Sequence, residues 1–466
     1  MNEHQQLALD DIEAFVHCLG EPFEAGEPIA VARAPGRLDV MGGIADYSGS
    51  LVLEMPIREA TLVAAQRAAG GLTVESRLTG GEVRRAAMSP SQWRDFLAAD
   101  YTTNRQQLTD RGEAAWLAYV AGPLYVMARE LGADMSRGMH IVVESNVPEA
   151  KGVSSSAAIE VATLRAVDEL VETRLTGTEL ARLGQLAENR LAGAPCGIMD
   201  QMTSALGRAD ELFALRCQPA KVEGFVPIPG GLHFWGIDSG IRHAVSGSDY
   251  GSVRTAAFMG YRILADATNL PVTVGHSPGQ VAIEDSRWDG YLANIAPDEF
   301  DRDYGKLLPE RMRGAEFLHR FSGITDATTE VDPLAEYPVR AATAHPVFEC
   351  QRVERFGELL MQQLPNDLGE LMYASHGSYT ACGLGSAGTD RLVELVREAG
   401  PECGLFGAKI TGGGSGGTVA VLGDDRSGST ITRIAQQYAN ETGQQPYIFA
   451  GSSHGACLVE PRIVKR

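Results

Sequence analysis

The chain has 466 residues, more than the roughly 250–300 that one hydrophobic core usually serves, so we expect two lobes that each bury a core. Apolar residues make up 44% of the chain and charged residues 21%, a composition that argues against a coiled coil, a membrane protein or long disorder. Forty basic and sixty acidic side chains give a net charge of −20, which disfavours nucleic acid and anionic membranes as partners. An anionic ligand would therefore need local cations, a metal or helix ends to balance its charge.

The amino-terminal residues 1–20 are polar and acidic, without the basic start, apolar run and cleavage site of a secretory signal. No stretch of the sequence approaches the ~20 apolar residues that a membrane-spanning helix needs. Seven cysteines are scattered along the chain without a C-x-x-C pair. We therefore expect a cytoplasmic protein with reduced thiols and no structural zinc, and nothing in the sequence points to an obligate protein partner.

Helices and strands mix along the sequence without a regular period, which favours an α+β fold in two lobes over a doubly wound sheet. In the first half, the pattern predicts helices over 6–19 and 113–131, a helix that begins near 155, and a further helix that ends near 192. The strands predicted there are 29–33, 51–67, 71–76, 139–145 and 211–217. In the second half, it predicts strands over 233–239, 407–411 and 418–423, and helices over 253–266, 353–364, 368–374, 390–399 and 427–439. Thr176 and Glu179 have the spacing of a capping box at the start of a helix.

A lobe boundary is expected in the loop after Cys217, which divides the chain into lobes 1–217 and 218–466. Within the second lobe, residues 271–346 are the least regular part and contain seven prolines. Proline lacks the N–H that helices and sheets use, so we expect an insertion of loops and short helices there.

Residues 147–158 read as the end of a strand, a glycine-containing loop, three serines at 154–156 and an alanine-rich helix. Free N–H groups in the first turn of a helix bind anions, and the hydroxyls add donors and a candidate Mg²⁺ ligand. The alternative is an ordinary serine cap on a buried helix. No G-x-x-x-x-G-K-[ST] motif occurs, which sets aside a Walker-type nucleotide site.

Two glycine-rich segments occur late in the chain. Residues 412–417 contain five glycines between two predicted strands, which suits close approach of the backbone to a phosphate, although an ordinary glycine turn would look the same. The same loop has the G-x-S-x-G form of a hydrolase elbow, but the elbow needs a helix after its serine and a strand is predicted instead. Residues 383–388 match G-x-G-x-x-G, but no apolar strand precedes them, so we interpret them as a loop and helix start.

Asp46 and Asp200 each lie amid glycine and apolar residues. Isolated carboxylates are usually solvated or cap a helix, but the glycine and apolar neighbours of these two favour a lined pocket.

Four segments, taken in order, resemble the GHMP kinase superfamily and its galactokinase branch. APGR with DYSG is similar to the first family motif, PEAKGVSSSAA to the second, TGGGSGGT to the third, and CGIMDQ to the catalytic strand-to-helix segment of galactokinases. The resemblance covers about residues 29–450 except 271–346. The stretches that look most like the kinase portion of plant L-arabinokinases are 33–53, 234–250 and 381–393.

The resemblance implies a two-lobed α+β kinase that transfers a phosphoryl group from ATP, with Mg²⁺, to the anomeric hydroxyl of a sugar in the cleft between its lobes. Asp200 would accept the proton of the sugar O1, and Arg37 would hold that carboxylate ionised and contact the γ-phosphate. Ser156 and Glu188 would hold Mg²⁺.

The resemblance also assigns binding residues. Asp46, Gly197 and Tyr250 would face the sugar hydroxyls, and Gly43 and Ile44 would lie where the sugar's C6 group is recognised. The residues expected to contact the phosphates of ATP are Lys151, Gly152, Ser154, Ser155, Ser156, Gly412, Gly413 and Gly414.

The sequence departs from the family pattern in two places. Ala150 and Lys151 stand where the family often has glycines, which makes that loop less open. Galactokinases have G-E-H-x-D-Y where this chain has Gly-Gly-Ile-Ala-Asp-Tyr at 42–47, so the glutamate that contacts the C6 hydroxyl is missing. L-Arabinopyranose shares galactose's configuration at C2, C3 and C4 and lacks C6, so L-arabinose is the expected substrate. A galactokinase with other C6 contacts, and a sugar- and ATP-binding sensor without turnover, are the alternatives.

Overall fold

The computed structural model describes residues 3–20, 23–78, 81–241, 248–275 and 279–465. Its helices are α1 Glu3–Cys18, α2 Pro90–Ala98, α3 Tyr101–Thr109, α4 Ala118–Leu131, α5 Ser155–Val171, α6 Gly177–Ala187, α7 Met199–Leu206, α8 Ser248–Ala267, α9 Pro297–Glu299, α10 Gly314–Phe321, α11 Val339–Met361, α12 Pro365–Ala381, α13 Ala387–Ala399 and α14 Ser427–Thr442. Its strands are β1 Pro28–Met41, β2 Leu51–Ala68, β3 Leu72–Leu78, β4 Val83–Met88, β5 Gly138–Ser145, β6 Glu211–Arg216, β7 Lys221–Pro227, β8 Leu232–Asp238, β9 Val272–Val274, β10 Val281–Ile283, β11 Met312–Arg313, β12 Glu336–Tyr337, β13 Leu405–Ile410, β14 Thr418–Asp424, β15 Ile448–Ala450 and β16 Arg462–Lys465.

The first sheet has the strand order β16-β1-β2-β5-β3-β4, with β6 paired to β2 and β7 paired to β6. Strands β3 and β5 run parallel, and the other neighbours just named run antiparallel. The register of β1 on β2 shifts between Pro35 and Arg37 and again between Asp39 and Met41. Such bulges redirect side chains, and here they flank the two charged residues of β1 that build the site.

The core of the first lobe lies between this sheet and the helices α4 to α7. Trp93, Phe96 and Tyr125 are buried there with the apolar faces of α5 and α6. Helix α1 adds a smaller core against β1, β2 and β5, in which Ile12 and Phe15 are buried. The first lobe is thus stabilised by apolar burial on its sheet, the expected source of stability for a domain of this size.

The second sheet has the order β13-β14-β8-β15, and its neighbouring strands are antiparallel. Helices α13 and α14 pack on it around Ile237, Leu392 and Tyr438. A further core links the two sheets and includes Leu38 and Met55 of the first lobe and Leu422 of the second.

The described residues of the stretch 271–346, which are 271–275 and 279–346, pack together and against neighbouring helices. They contain short helical turns and the two small pairings β9 with β10 and β11 with β12. Trp288, Phe300 and Phe317 are buried in a core shared with α8 and α11. The expected short helices are present, whereas the two pairings and this core were not predicted. The paired strands have only two or three residues each, too few to show a periodic pattern, and the core includes residues of α8 and α11 outside this region.

The α+β mixture of the sequence prediction is confirmed, and so is the capping box at the start of α6, where both Thr176 and Glu179 make their reciprocal hydrogen bonds. The polar stretch 89–111, for which no element was predicted, forms α2 and α3, which are capped by Ser89 and Asp100. These helices are short and mainly polar, so hydrophobic periodicity gave little sign of them.

The loop in which the lobe boundary was predicted contains β7, which pairs with β6 in the first sheet. Strand β16, near the end of the chain, also joins the first sheet by pairing with β1. The division at residue 217 stays a prediction, and these pairings favour a boundary at 228–231 instead.

Each of the seven cysteines is a free thiol. None of the helices in the described ranges combines the length and the apolar character that crossing a bilayer requires.

Candidate active site

A cleft gathers most of the residues that the sequence predicted to act. The first lobe contributes residues from β1, α5 and α7, and the second lobe contributes Tyr250 of α8 and Gly413. The predicted residues that line the cleft are Arg37, Asp46, Gly152, Ser154, Ser155, Ser156, Glu188, Gly197, Asp200, Tyr250 and Gly413. The other lining residues are Ala150, Ala194, Pro195, Cys196 and Met199.

Arg37 and Asp200 form an ion pair in this cleft. Arg37 Nε and Nη2 donate to Asp200 Oδ1 at 2.9 and 2.7 Å, and Arg37 Nη1 donates to the Gly152 carbonyl at 2.9 Å. The Arg37 side chain is 3% exposed, whereas that of Asp200 is 21% exposed and remains open to a ligand. Burial opposes the charge of Arg37, but the carboxylates of Asp200 and Glu54 outweigh it and raise the pKa of Arg37. Arg37 therefore stays charged and orients the Asp200 carboxylate.

A second ion pair, fully buried, links β1 to β13. Lys409 Nζ donates to Asp39 Oδ2 at 2.8 Å, and both side chains are 0% exposed. Asp39 also accepts hydrogen bonds from the N–H of Gly43 at 3.1 Å and of Gly412 at 3.3 Å. One buried carboxylate thus ties the turn after β1 to the glycine-rich loop after β13, and it depends on Lys409 for charge balance.

The loop before α5 has the form of an anion site. Ala150, Gly152 and Ser154 adopt φ of 58°, 70° and 61°. Ser154 stands at the cap position in the left-handed conformation, and its side chain makes no capping hydrogen bond. Its hydroxyl is buried without a hydrogen-bond partner among the described residues. The alternative of an ordinary serine cap therefore fails, and a free hydroxyl beside the first turn of α5 can bind a phosphate.

Ser156 and Glu188 both line the cleft, and the Ser156 hydroxyl is close enough to favour the ionised form of the Glu188 carboxylate, which places two oxygen ligands together. Glu188 begins a π-helical turn over Glu188–Ala192, an irregularity that often marks functional sites. Burial, reinforced by the neighbouring Asp200, raises the pKa of Glu188 to about 7, and a bound cation would oppose that shift. A hydroxyl and a carboxylate suit Mg²⁺, which keeps several waters and takes its other ligands from phosphates.

Gln201, next to the proposed base, holds the Glu188 carboxylate in place. Gln201 Nε2 donates to Glu188 Oε2 at 2.7 Å and to Glu160 Oε2 at 3.0 Å. Over the described ranges, no group of three or more His, Cys, Asp or Glu side chains is suited to a metal. The donor set therefore fits a cation that binds together with a phosphate ligand rather than one caged by protein side chains.

The glycine-rich loop between β13 and β14 lies against the loop before α5. Thr418 Oγ1 donates to the Lys151 carbonyl at 2.8 Å, and a Cβ at Gly417 would lie 2.7 Å from the same oxygen. A side chain at 417 would push the two loops apart. This close contact between the backbones explains part of the glycine content of the loop.

The secondary structure around the G-x-S-x-G and G-x-G-x-x-G matches shows that neither is a functional motif of the class it resembles. Strand β14 follows Ser415, so this serine does not occupy the strand-to-helix elbow of a hydrolase. Helix α12, not a strand, precedes residues 383–388, which excludes the dinucleotide-binding unit as predicted.

Asp46 packs directly against Gly197 in the cleft. A Cβ at 197 would collide with the Asp46 carboxylate, so this contact requires glycine. Asp46 Oδ1 is buried and has no hydrogen-bond partner in the described part of the chain. Burial raises the pKa of Asp46 to about 6, and Arg254 opposes that shift. An unsatisfied carboxylate oxygen in a cleft is suited to accept hydrogen bonds from the hydroxyls of a ligand.

Helix α8 covers the residue that follows Asp46. The Tyr250 ring lies edge-on to the Tyr47 ring, with 6.0 Å between their centroids. Arg254 and Phe258, one and two turns further along α8, approach the Tyr47 ring at 5.5 and 6.1 Å. One face of α8 therefore encloses Tyr47 and fixes the turn that carries Asp46.

Gly43 and Ile44 are not among the lining residues. A Cβ at 43 would collide with Tyr379 Oη and the Asp39 carboxylate, so this position has no room for a side chain. Ile44 has φ of 46°, and its side chain is 0% exposed in the core that also contains Val253. That Gly43 and Ile44 lie where the C6 group of a sugar is recognised stays a prediction, and the Ile44 side chain lies in this core rather than on the cleft wall.

Lys151, Gly412 and Gly414 also lie outside the cleft lining. Lys151 Nζ pairs with Asp238 Oδ2 at the end of β8, at 2.6 Å, so its charge is already matched by a carboxylate of the second lobe. A Cβ at Gly412 would lie 2.9 Å from the Gly152 carbonyl oxygen, which places the two loops in contact. The phosphate contacts of these three residues stay predictions.

Several residues that support the site were missed by the sequence analysis. Gln201 and Asp39 lie inside or beside the recognised motifs, so their position could have suggested them. Arg254 and Asp326, described below, belong to no motif. Residues 242–247, part of the stretch 234–250 that resembled a relative, lie outside the described residues.

Family models and solved structures define the class of the protein. The GHMP kinases N terminal domain matches residues 118–208, the galactokinase galactose-binding signature matches 15–67, and the GHMP kinases C terminal model matches 358–441. A galactokinase of Lactococcus lactis complexed with galactose is 21% identical with a TM-score of 0.71, over 98% of this chain and 99% of that chain. A mevalonate kinase is 15% identical with a TM-score of 0.54, over 91% and 99% of the two chains. The fold is that of the GHMP kinases.

Sequence relatives narrow the class. The L-arabinokinase of Arabidopsis thaliana is 42% identical over 94% of this chain, and the match spans 47% of that relative's length. The galactokinase of Chloroflexus aggregans is 30% identical, and the match covers 96% of both proteins. The chain belongs to the galactokinase branch of the GHMP kinase family, which confirms the resemblance inferred from its motifs.

Proposed function

We propose that the protein transfers the γ-phosphoryl group of ATP to the anomeric hydroxyl of L-arabinose and forms L-arabinose 1-phosphate. The observation that carries the proposal is the Arg37–Asp200 pair, which lies in one cleft with the serines 154–156. Phosphoryl transfer needs positioning and charge neutralisation more than covalent chemistry, and these residues supply both.

Asp200 is the general base in this proposal. Arg37 holds Asp200 Oδ1, which leaves the exposed part of the carboxylate to accept the proton of the sugar hydroxyl as the new O–P bond forms. The Arg37 guanidinium also reaches the loop at Gly152, where it stabilises negative charge on the transferred group. Mg²⁺ held by Ser156 and Glu188 would neutralise charge on the phosphate oxygens.

A cavity of about 240 Å³ next to the serine loop suits the base of ATP. It shares Ser155 and Ser156 with the cleft, and its walls include Trp116, Tyr119 and Ile159. Aromatic and apolar side chains stack well on the faces of a purine ring. Phosphates bound at the serine loop would therefore bring the purine to this cavity.

The turn at Gly43 and Ile44 supports a sugar without C6. Position 43, where the resemblance places the glutamate of galactokinases, has no room for a side chain beside Asp39 and Tyr379. Ile44 is apolar and buried. This turn therefore offers no polar side chain to a C6 hydroxyl, and the 42% identical relative is named for L-arabinose.

The proposal is tested by measuring kcat/KM for L-arabinose and D-galactose on one preparation. Galactose would bury a hydroxyl without a partner, at a cost on the order of 1–3 kcal/mol, or roughly 10- to 150-fold in kcat/KM. Equal values, or a preference for galactose, would overturn the pentose assignment. The protein would then be a galactokinase, the second candidate, which the match to the galactose-binding signature favours.

The ratio of kcat/KM for L-arabinose to that for D-galactose distinguishes an unpaired hydroxyl from a steric block. Apolar pockets reject an added hydroxyl only modestly, so some turnover of galactose is expected. A preference above about 10³ would point instead to a steric block against the CH₂OH group of galactose.

Turnover itself separates a kinase from a sugar- and ATP-binding sensor. We expect sugar-dependent release of ADP that EDTA abolishes and excess Mg²⁺ restores, because Ser156 and Glu188 hold the ion only weakly without nucleotide. Glu188→Gln should raise the Mg²⁺ concentration needed for half-maximal activity. Sugar binding without any ADP release would leave the sensor as the function.

A further inference from the structure

Residues 271–346 contribute one buried carboxylate, that of Asp326, near the part of the cleft that is proposed to bind the sugar. We call this part, which contains Asp46 and Gly197, the sugar side. Asp326 accepts hydrogen bonds from Arg254 Nε at 2.7 Å and Nη2 at 2.8 Å, so the pair is bidentate. The N–H of Thr328 donates to Asp326 Oδ1 at 3.2 Å, and the N–H and hydroxyl of Thr329 donate to Oδ2 at 3.3 and 2.8 Å. Asp326 is only 5% exposed, and five donors fix its orientation.

Arg254 connects this carboxylate to the residues around Asp46. Its Nη1 donates to the carbonyl of Cys196 at 3.3 Å, and its guanidinium lies 5.5 Å from the centre of the Tyr47 ring. Cys196 precedes Gly197, and Tyr47 follows Asp46. Arg254 therefore contacts both segments that meet where Asp46 contacts Gly197, the one through a backbone carbonyl and the other through a side-chain ring, yet it is not itself among the residues that line the cleft.

The charges of this arrangement depend on one another. Burial opposes the charge of Arg254, but Asp326 outweighs it and raises the pKa of Arg254. Burial likewise opposes ionisation of Asp326, but Arg254 outweighs it and lowers the pKa of Asp326. The charged Arg254 in turn favours the ionised form of the buried Asp46. Without Asp326, a buried guanidinium would lose its counter-charge and would move toward another acceptor.

We propose that Arg254 and Asp326 are positioning residues for sugar binding, through which residues 271–346 fix the geometry of Asp46 and Gly197. This inference rests on the proposed function of the same cleft. The contacts of Arg254 lie on the sugar side and not at the serine loop, so the loss of either residue should weaken the sugar and leave ATP nearly unaffected.

The experiment compares Asp326→Asn, Asp326→Glu and Arg254→Lys with the wild type. The matched control is Glu336→Gln in the same region, because Glu336 pairs with Arg311 at 2.7 Å with both side chains more than 50% exposed, and exposed pairs contribute little. The readouts are KM for L-arabinose, KM for ATP, kcat, calorimetric binding of L-arabinose without nucleotide, and the thermal unfolding midpoint.

We expect Asp326→Asn and Arg254→Lys to raise KM and Kd for L-arabinose by roughly 10- to 100-fold, the scale of effects from small misplacements of binding groups. KM for ATP and the sugar KM of Glu336→Gln should stay within about twofold of wild type. Asp326→Glu, which keeps the charge, should recover part of the sugar affinity.

An unchanged sugar KM in folded Asp326→Asn, or equal rises in KM for sugar and ATP, would overturn the inference. If Asp326→Asn does not fold, Arg254→Lys decides in the same way. If the wild type phosphorylates the sugar and neither variant changes the sugar KM, this inference is wrong and the proposed function is unaffected. Absence of sugar turnover in the wild type would instead overturn the proposed function, and the calorimetric comparison of wild type and variants would then decide the role of the pair by itself.

Discussion

The phosphate side and the sugar side of the cleft are built in different ways. The phosphate side consists of Arg37 on β1, the serines 154–156 at the start of α5 and Gly413 in a glycine-rich loop, each within a short motif. The sugar side joins Asp46 and Gly197 through α8 and, by way of Arg254, residues 271–346. The groups proposed for phosphoryl transfer therefore all belong to recognisable motifs, whereas the proposed sugar site also depends on Arg254 and Asp326, which belong to none.

The largest effect is expected on the phosphate side from Asp200→Asn. The change keeps the shape of the side chain and removes proton acceptance, so kcat should fall by roughly 10²–10⁴-fold. Calorimetric binding of L-arabinose should persist, because the sugar side is untouched. Asp298→Asn, a change at an exposed position, is the control. A variant that retains more than about half of the wild-type kcat would show that Asp200 is structural.

The Asp39–Lys409 ion pair joins the turn after β1 to the glycine-rich loop, and Lys409→Met removes it. This change leaves the fully buried Asp39 without its counter-charge, and removal of one partner of a buried pair costs about 3–5 kcal/mol in the free energy of unfolding. Denaturant titration measures the loss, and Lys306→Met at an exposed position should leave the unfolding transition nearly unchanged. Unfolding free energies that match in the two variants would contradict the role of the Asp39–Lys409 pair in joining the turn after β1 to the glycine-rich loop.

The sugar side should titrate near pH 6. Burial raises the pKa of Asp46 to about 6, so the carboxylate takes up a proton as the pH falls through this value and becomes a weaker acceptor for sugar hydroxyls. Calorimetric Kd for L-arabinose, measured without nucleotide, should therefore rise below pH 6 by up to about tenfold per pH unit. Asp46→Asn should weaken binding at neutral pH and flatten the profile. A profile that stays unchanged in this variant would assign the titration to another group.

The smallest effect is expected from Lys151→Met, although the sequence placed Lys151 among the phosphate ligands. Its ammonium pairs with Asp238 and is 20% exposed, so KM for ATP should rise by less than about threefold. Lys221→Met, at an exposed lysine that pairs with Glu223, is the matched control. A rise of tenfold or more in KM for ATP, absent from the control, would mean that Lys151 leaves Asp238 to bind phosphate.

The sequence was informative wherever the structure is local. The capping box at Thr176, the strand and helix around the serines 154–156 and the strand after the glycine-rich loop are set by neighbouring residues and follow from periodicity and cap chemistry. The resemblance supplied the roles of Arg37 and Asp200, and the structure pairs these two residues across 163 positions of sequence.

Only the tertiary structure decided which charges neutralise one another. Asp39 and Lys409 are 370 positions apart, Arg254 and Asp326 are 72 apart, and Lys151 turned out to pair with Asp238. A charged residue has no periodicity that reveals its partner, so its sequence neighbours do not tell whether it is solvated, paired or aimed at a ligand. Burial makes the pairing obligatory, because an uncompensated charge is too costly away from water, and burial is a property of the assembled fold.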